Sequence, residues 1–326
     1  MEKKLATLLA AMMATSLMAC SSGVSFDLPQ TSDNFGQSVT YNNKVDIVWI
    51  VDNSSSMLKH QQNLSNQIPD LVTKLNSLKM DYHMAVVTTS MGGTSPDGGR
   101  FIGSPKYVTA GTPDLVNNLK NRMIVGEAGS NNERGLESME NALSSGYLAN
   151  EGRGFFRDDA LLVVIALSDE DDKSAVSNPV SHYVNFLDGL KQPWVDGTRS
   201  WVFNFIGVLP TSTGCKTFND YAEVGWTFVD IAKESGGVQE SICTANLSTA
   251  ITNIRARIYQ ILTDFKLSKI PVVESIVVKI NGVVIPRSSV NGWDYIPANN
   301  SIRFYGSAVP AADASIKVDF KPKEAN

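Results

Sequence analysis

From residue 45 onward the chain alternates unbroken apolar runs with apolar stripes at helical spacing. The runs are VDIVWIVD (45–52), YHMAVVTTS (82–90), DALLVVIALSD (159–169) and SWVFNFIGVLP (200–210). Each is short, rich in β-branched residues and apolar at successive positions, which predicts a strand covered on both faces. Between the first two, Leu58, Leu64, Ile68, Leu71, Val72, Leu75 and Leu78 recur at threes and fours and predict a helix bent by Pro69. Further helices are predicted over 112–123, 131–148, near 177–191 and over 221–237, the last ended by Gly236. Ile251, Ile254, Ile258, Ile261, Leu262 and Phe265 stripe one more. Strands alternating with helices in this way predict an α/β domain over 44–266, with a mostly parallel sheet and helices on both faces.

The texture changes after residue 266. Short β-type runs broken by turn residues fill 267–326, and Asn281-Gly282 sits between two apolar runs, the strongest short hairpin signal. A small antiparallel β module is expected there. A unit of this size buries too little to be secure alone and should lean on the larger domain.

The two ends of the chain's first forty residues read differently. Lys3 and Lys4 precede an apolar stretch from Leu5 to Ala19, too short and too plainly flanked for a membrane span. It ends in Leu17-Met18-Ala19-Cys20, which resembles the lipobox of bacterial lipoproteins. That resemblance implies a signal peptide over 1–19, lipid on Cys20 and, with Ser21 and Ser22 following, an outer-membrane destination in a bacterial cell envelope. Residues 20–43 are polar, scattered with Gly, Pro, Ser and Asn and without period, and are expected to be a tether. With Cys20 lipidated, Cys215 and Cys243 remain as one pair in an oxidising compartment; a disulfide is expected, the alternative being two separate buried thiols.

Composition adds mainly exclusions. Hydrophobic residues make up 43% of the 326, so the chain is not of the disordered class, and the net charge of −5 comes with no basic run. Nucleic acid is therefore not expected as a partner. There is no Gly-x-Ser-x-Gly and no His-x-x-x-His, and the three histidines, His60, His83 and His182, have no nucleophile beside them in sequence, so no enzyme is expected.

Candidate chemistry lies at strand ends, because open α/β sheets bind ligands outside the carboxyl ends of their strands. The first strand ends in Asp52-Asn53-Ser54-Ser55-Ser56, the strand 159–169 ends in Ser168-Asp169, and between them Ser130 stands five residues before Gly135-Leu136. Together Asp52, Ser54, Ser56, Ser130 and Asp169 resemble the metal-ion-dependent adhesion site of von Willebrand factor A domains, as found in bacterial lipoproteins. The resemblance covers about 44–266 and implies a Rossmann-like fold with a divalent cation, Mg²⁺ first and Mn²⁺ or Ca²⁺ as alternatives. It implies as partner a protein that presents an acidic side chain to the ion. Hydroxyl, carboxylate and water oxygens are indeed hard ligands suited to these cations rather than to zinc.

Competing explanations exist for each residue. Ser54 and Ser56 could cap the helix that begins near Met57, Ser130 with Glu133 has the spacing of a capping box, and Asp169 could be a turn residue. Glu170, Asp171 and Asp172 read as a solvated loop, with a second cation site as the alternative. The glycine-rich loop 91–100 lacks the Lys-Ser/Thr ending of a phosphate cradle and is expected to be either a specificity loop or a plain connector. The expected function is cation-dependent adhesion at the envelope. An envelope assembly or structural lipoprotein with a non-essential metal site is the first alternative, a hydrolase the second.

Overall fold

A computed structural model describes residues 35–92, 97–194, 197–213, 215, 222–312 and 314–323. Cys20, the apolar stretch before it and most of the expected tether lie outside the described residues.

Six strands form the central sheet in the order β4-β3-β2-β5-β6-β7. They are β2 (Lys44–Val51), β3 (Asp81–Thr88), β4 (Val108–Thr109), β5 (Leu161–Ser168), β6 (Trp201–Gly207) and β7 (Gln239–Ser241). All neighbours are parallel except β3 and β4. The pleat sends alternate side chains to opposite faces. Val45, Ile47, Trp49 and Val51 of β2 join Leu161, Val163, Ile165 and Leu167 of β5 in one core. Four helices cover that face: α1 (Leu58–Ser65), α2 (Ile68–Ser77), α3 (Leu115–Met123) and α8 (Ser248–Thr263). Val48, Ile50, Leu162, Val164 and Ala166 face the other way. There they meet α4 (Gly135–Ala142), α6 (Pro179–Leu190) and α7 (Trp226–Glu234), while the short α5 (Ser145–Ala149) flanks α4. Apolar continuity along the strands thus reflects two cores, one on each face.

Several elements depart from the expected bounds. The helix predicted over 58–78 is two helices, because the chain breaks at Asn66-Gln67. Pro69 then lies in the first turn of α2, where its missing N–H costs nothing. The stretch 131–148 is likewise divided into α4 and α5. Cys215 and Cys243 form a disulfide with Cα atoms 4.5 Å apart and a sequence separation of 28. Closing a loop of that length stabilises the fold by about 3–4 kcal/mol in the chain-entropy model.

The C-terminal residues form two small antiparallel sheets, β1-β13-β9-β10 and β11-β12-β8. Their strands are β1 (Phe35–Thr40), β8 (Asp264–Lys266), β9 (Val277–Ile280), β10 (Val283–Ile285), β11 (Trp293–Ile296), β12 (Ser301–Phe304) and β13 (Ser315–Phe320). Asn281 and Gly282 both take positive φ, 49° and 82°, and join β9 to β10 in the two-residue turn expected of Asn-Gly. Phe265, Val278, Trp293, Ile302, Phe304, Ile316, Val318 and Phe320 make a third core between the sheets. That module leans on α8, where Tyr259 Oη donates to the Phe304 carbonyl at 3.0 Å. The expected tether of 20–43 needs correction here. Its residues Phe35–Thr40 are β1, paired along their length with β13, so this part of the stretch is structural.

Candidate functional site

Register decides what stands at the carboxyl end of the sheet. Val51 pairs with Leu167, so the residues that follow, Asp52 and Ser168, emerge side by side on one face. Asp52 N donates to the Leu167 carbonyl at 3.0 Å, which continues the ladder one step past the strand. The Ser168 hydroxyl donates to Asp52 Oδ2 at 2.7 Å, and Ser54 N donates to Oδ1 at 2.8 Å. Asp52 is fully buried, yet it meets only neutral donors in these bonds.

Ser54 is buried as well, and its Oγ lies 3.3 Å from Ser56 Oγ, so the two hydroxyls face a common point. Neither caps a helix. The first turn of α1 starts after Met57, whose position receives no side-chain cap, and the Met57 N–H bonds to the Ser54 carbonyl instead. Asp169 is 1% exposed and neither of its carboxylate oxygens has a hydrogen-bond partner among the described residues. Its own backbone N–H and the Ser56 hydroxyl lie nearby and pull against the burial, but neither reaches hydrogen-bonding geometry.

The loop before α4 is drawn in by glycine. A Cβ on Gly129 would stand 2.3 Å from Asn53 Oδ1, and one on Gly135 would stand 2.9 Å from Ile50 Cγ2. Both positions therefore need glycine for the loop and the helix start to lie against β2. Ser130 is held there by its N–H, which donates to Ser90 Oγ at 2.8 Å, and Ser90 Oγ donates on to Asn53 Oδ1 at 2.9 Å. Its own hydroxyl accepts from Asn132 N at 3.0 Å. The capping-box spacing of Ser130 and Glu133 is not used as such, because α4 begins at Gly135 with Arg134 before it. Glu133 instead turns inward. It is 1% exposed, Oε2 accepts from Thr89 Oγ1, and Oε1 has no partner among the described residues.

These carboxyls strain against one another. Burial lifts Asp169 to about 7; the Ser56 hydroxyl, near but outside hydrogen-bonding geometry, opposes the rise, and the charges of Asp52 and Glu170 add to it. Burial likewise lifts Glu133 to about 8, with the Asp52 charge adding. Asp52 is raised by burial against the opposing bonds from Ser168 and Ser54. Glu170, by contrast, is bonded to Lys173.

Asp171 and Asp172 have other work. Asp172 Oδ1 accepts from Leu136 N at 3.0 Å in the first turn of α4, and Oδ2 accepts from Ser174 N at 3.1 Å. Asp171 Oδ1 accepts from Thr227 N at 2.9 Å in the first turn of α7. The acidic run is thus a clasp between two helix N-termini, where the helix dipole favours negative charge, rather than a solvated loop.

The structure brings Asp52, Ser54, Ser56 and Asp169 to one end of the sheet, with Ser130 on the adjoining loop. Sequence reasoning missed Ser168 and Glu133 as members. Ser168 was visible only as a strand-end residue, and Glu133 was visible only through a helix cap that does not form. Among the described residues no three His, Cys, Asp or Glu side chains stand close enough to hold a metal by themselves. Any cation here must therefore also use the serine hydroxyls and water. The donor set fits a hard divalent ion on that basis: two converging hydroxyls and a buried carboxylate whose oxygens have no hydrogen-bond partner among the described residues.

No protein-family model matches the chain, and no curated protein matches its sequence. Among solved structures the chain is similar to proximal thread matrix protein 1 from the mussel byssus, at 14% identity and a TM-score of 0.44, over 71% of this chain and 51% of that one. It is also similar to the pilus adhesin SpaC from Lactobacillus rhamnosus GG, at 11% identity and a TM-score of 0.43, over 90% of this chain and 42% of that one. The chain spans about half the length of the first and less than half of the second. Likenesses this distant say nothing about what the chain binds. Among the described residues no helix is long and apolar enough to cross a membrane.

Proposed function

We propose that residues 44–266 are a von Willebrand factor A domain with a metal-ion-dependent adhesion site, and that the protein binds a partner protein through a divalent cation at a bacterial cell envelope. The observation that carries this reading is Asp169, a carboxylate buried beside Asp52 with both oxygens unpartnered, at the sheet end where Ser54 and Ser56 converge. A buried carboxylate in that state is costly unless a positive charge meets it. Ser54 and Ser56 would hold the ion by their hydroxyls, while Asp52 and Asp169 would orient its waters. The bound cation supplies a Lewis-acidic position to which an acidic side chain of the partner can bond. Mg²⁺ is the first choice, with Mn²⁺ and Ca²⁺ fitting the same oxygens.

Lipid on Cys20 would anchor the chain, most simply at the outer membrane, with β1 following the tether directly. The reading is of a binding protein and not an enzyme: His83 lies toward the opposite end of the sheet against Asp46, and His182 pairs with Glu140. The test is calorimetric titration of the soluble chain with Mg²⁺, Mn²⁺ and Ca²⁺, followed by affinity capture from envelope extracts with and without the ion. Wild type should bind one ion and recover partners only in its presence, and Asp52→Ala should do neither. Equal recovery by both proteins regardless of metal defeats the adhesion reading; a bound ion with no metal-dependent partner favours the envelope structural role instead.

A further inference from the structure

We propose that the outer face of the sheet β1-β13-β9-β10 rests on an anionic lipid surface. The inference draws on the anchoring part of the reading above and owes nothing to the cation site. Eight large apolar side chains are exposed among the described residues, and six of them lie in the module 267–326. Soluble proteins gather exposed apolar side chains in one small region chiefly where a partner covers them. The same module holds seven Lys and Arg against five Asp and Glu, although the chain as a whole carries a net charge of −5.

Register gathers apolar and basic side chains on one face. Val278 of β9 and Ile316, Val318 and Phe320 of β13 point into the third core, so the residues alternating with them point out. On that outer side Val277 pairs with Asp319, Lys279 pairs with Lys317, and Val284 of β10 pairs with Lys279. Past the end of β13 the alternation continues. Pro322 bridges the buried Pro271, Val272 N donates to the Lys321 carbonyl at 2.8 Å, and Lys323 N donates to the Ile270 carbonyl at 2.8 Å. Ile270, Val272, Lys321 and Lys323 are all exposed, on the side away from Pro271. Asp319 on this face is already met by Lys317 at 3.2 Å and Lys279 at 3.4 Å. Glu274, in the turn that joins Val272 to β9, is the other exposed carboxylate of the segment 270–279. Exposed β-branched side chains and lysines thus lie side by side, with little negative charge left over.

The chain itself brings this face to a membrane. β1 is an edge strand of the same sheet, and its Phe35 pairs with Phe320, just before Lys321 and Lys323. Only residues 21–34 separate Cys20 from β1, a span of at most about 50 Å when fully extended. Lipid on Cys20 therefore confines the sheet to the neighbourhood of the headgroups. A single acyl chain binds a membrane only reversibly, and a basic patch is one of the second contacts that make anchoring firm. Each lysine close to an anionic surface strengthens binding about fivefold. Valine and isoleucine side chains can sink into the interface beside the lysine stems, while the ammonium groups stay among the phosphates.

The test is co-sedimentation of residues 20–326 carrying Cys20→Ser, the processed chain without its lipid, with vesicles. One set mixes phosphatidylglycerol with phosphatidylcholine, and the other is phosphatidylcholine alone. The chain should pellet with the anionic vesicles at low salt, leave them at high salt, and bind the neutral ones about tenfold more weakly or less. Adding Lys321→Gln with Lys323→Gln should weaken anionic binding by about tenfold or more. Adding Ile270→Ser with Val272→Ser should weaken it severalfold, whereas Lys74→Gln, on the exposed side of α2, should leave it unchanged. All these positions are exposed, and far-UV circular dichroism confirms that each variant folds. Failure to pellet with anionic vesicles at low salt overturns the proposal. So does equal binding by both double variants and Lys74→Gln, which would mean attraction without a defined face. If the chain instead forms dimers that the same double variants abolish, the face is an interface between copies and the proposal falls. Mass spectrometry of the protein taken from membranes reads Cys20 separately: an unmodified Cys20 defeats the anchoring reading, while the vesicle result still decides this one.

Discussion

Two buried aspartates stand six positions apart, Asp46 near the amino end of β2 and Asp52 one residue past its carboxyl end, and their surroundings differ in kind. Asp46, at the amino end, is fully buried and receives Arg157 three ways: the backbone N–H at 2.7 Å, Nε at 2.8 Å and Nη2 at 2.8 Å. His83 Nδ1 adds a contact at 3.7 Å. Burial raises the Asp46 carboxyl and the Arg157 charge opposes it. Asp52, at the carboxyl end, is just as buried and is bonded to a hydroxyl and a backbone N–H, with Glu133, Asp169 and Glu170 for charged company. The fold supplies a counter-ion from its own chain to Asp46, whereas the hydrogen bonds to Asp52 among the described residues come from neutral donors. That asymmetry is what separates a structural carboxylate from a candidate binding one.

The largest effect that sharpens this contrast comes from removing the internal counter-ion. Arg157→Ala strands the Asp46 charge in the core and should cost about 3–5 kcal/mol in urea unfolding. A loss as small as that of a surface substitution would mean that Asp46 is not held by its pairing. At the carboxyl end the sign reverses. Asp169→Asn should leave the metal-free protein as stable as wild type or more so, because it removes a buried charge that has no partner. In the same variant the cation's effect should disappear: a concentration of a hundred times Kd raises wild-type stability by about 2.7 kcal/mol. Scanning calorimetry with and without the ion reads both.

Acidity gives a third test. Asp169 near 7 and Glu133 near 8 both lie above their unfolded values, so the folded chain binds more protons than the unfolded one between about pH 4 and 8. Their contribution to stability is present below that window and is lost as pH rises through it. Metal-free wild type should therefore show a falling urea midpoint from pH 5 to pH 8, and the double variant Asp169→Asn, Glu133→Gln should show a flatter line. Cation affinity should rise over the same window, since the ion displaces those protons. A wild-type midpoint rising with pH more steeply than the variant's would contradict the assignment. The smallest effect belongs to an exposed pair beside Asp46. Lys44 Nζ reaches Asp159 Oδ2 at 2.6 Å, but the side chains are 36% and 60% exposed. Lys44→Ala should change stability by less than about 1 kcal/mol, which would assign the cost in Arg157→Ala to burial rather than to ion pairing as such.

How much of this was legible varied with the physics behind each element. The strands ending at Asp52 and Asp169 could be read directly, because burial on both faces forces unbroken apolar runs. β1 could not: a polar segment supplies an edge strand of a small sheet, and its pairing partner β13 lies near the far end of the chain. The Asn281-Gly282 turn was readable because its backbone demands positive φ at both residues. Among candidate site residues, Asp52, Ser54, Ser56 and Asp169 were legible because they follow strands and together resemble a known family's motif. Ser168 was missed as a partner, since its bond to Asp52 depends on the register between β2 and β5. Glu133 was misread because three residues is also the spacing of a capping box, and only the start of α4 at Gly135 shows that no cap forms.

By itself, then, the sequence determined the period of burial, the positions of the strand ends and the residue types placed there. Those are local matters of pleat, turn and apolar spacing. Which end of the sheet would be neutralised was decided by tertiary structure alone. Arg157 comes from the segment before β5 and lands on Asp46, while Glu133 and Asp169 arrive from separate loops and land on the side of Asp52. Electrostatics inside a protein depends on distance and burial, and neither can be read from the order of residues along a chain.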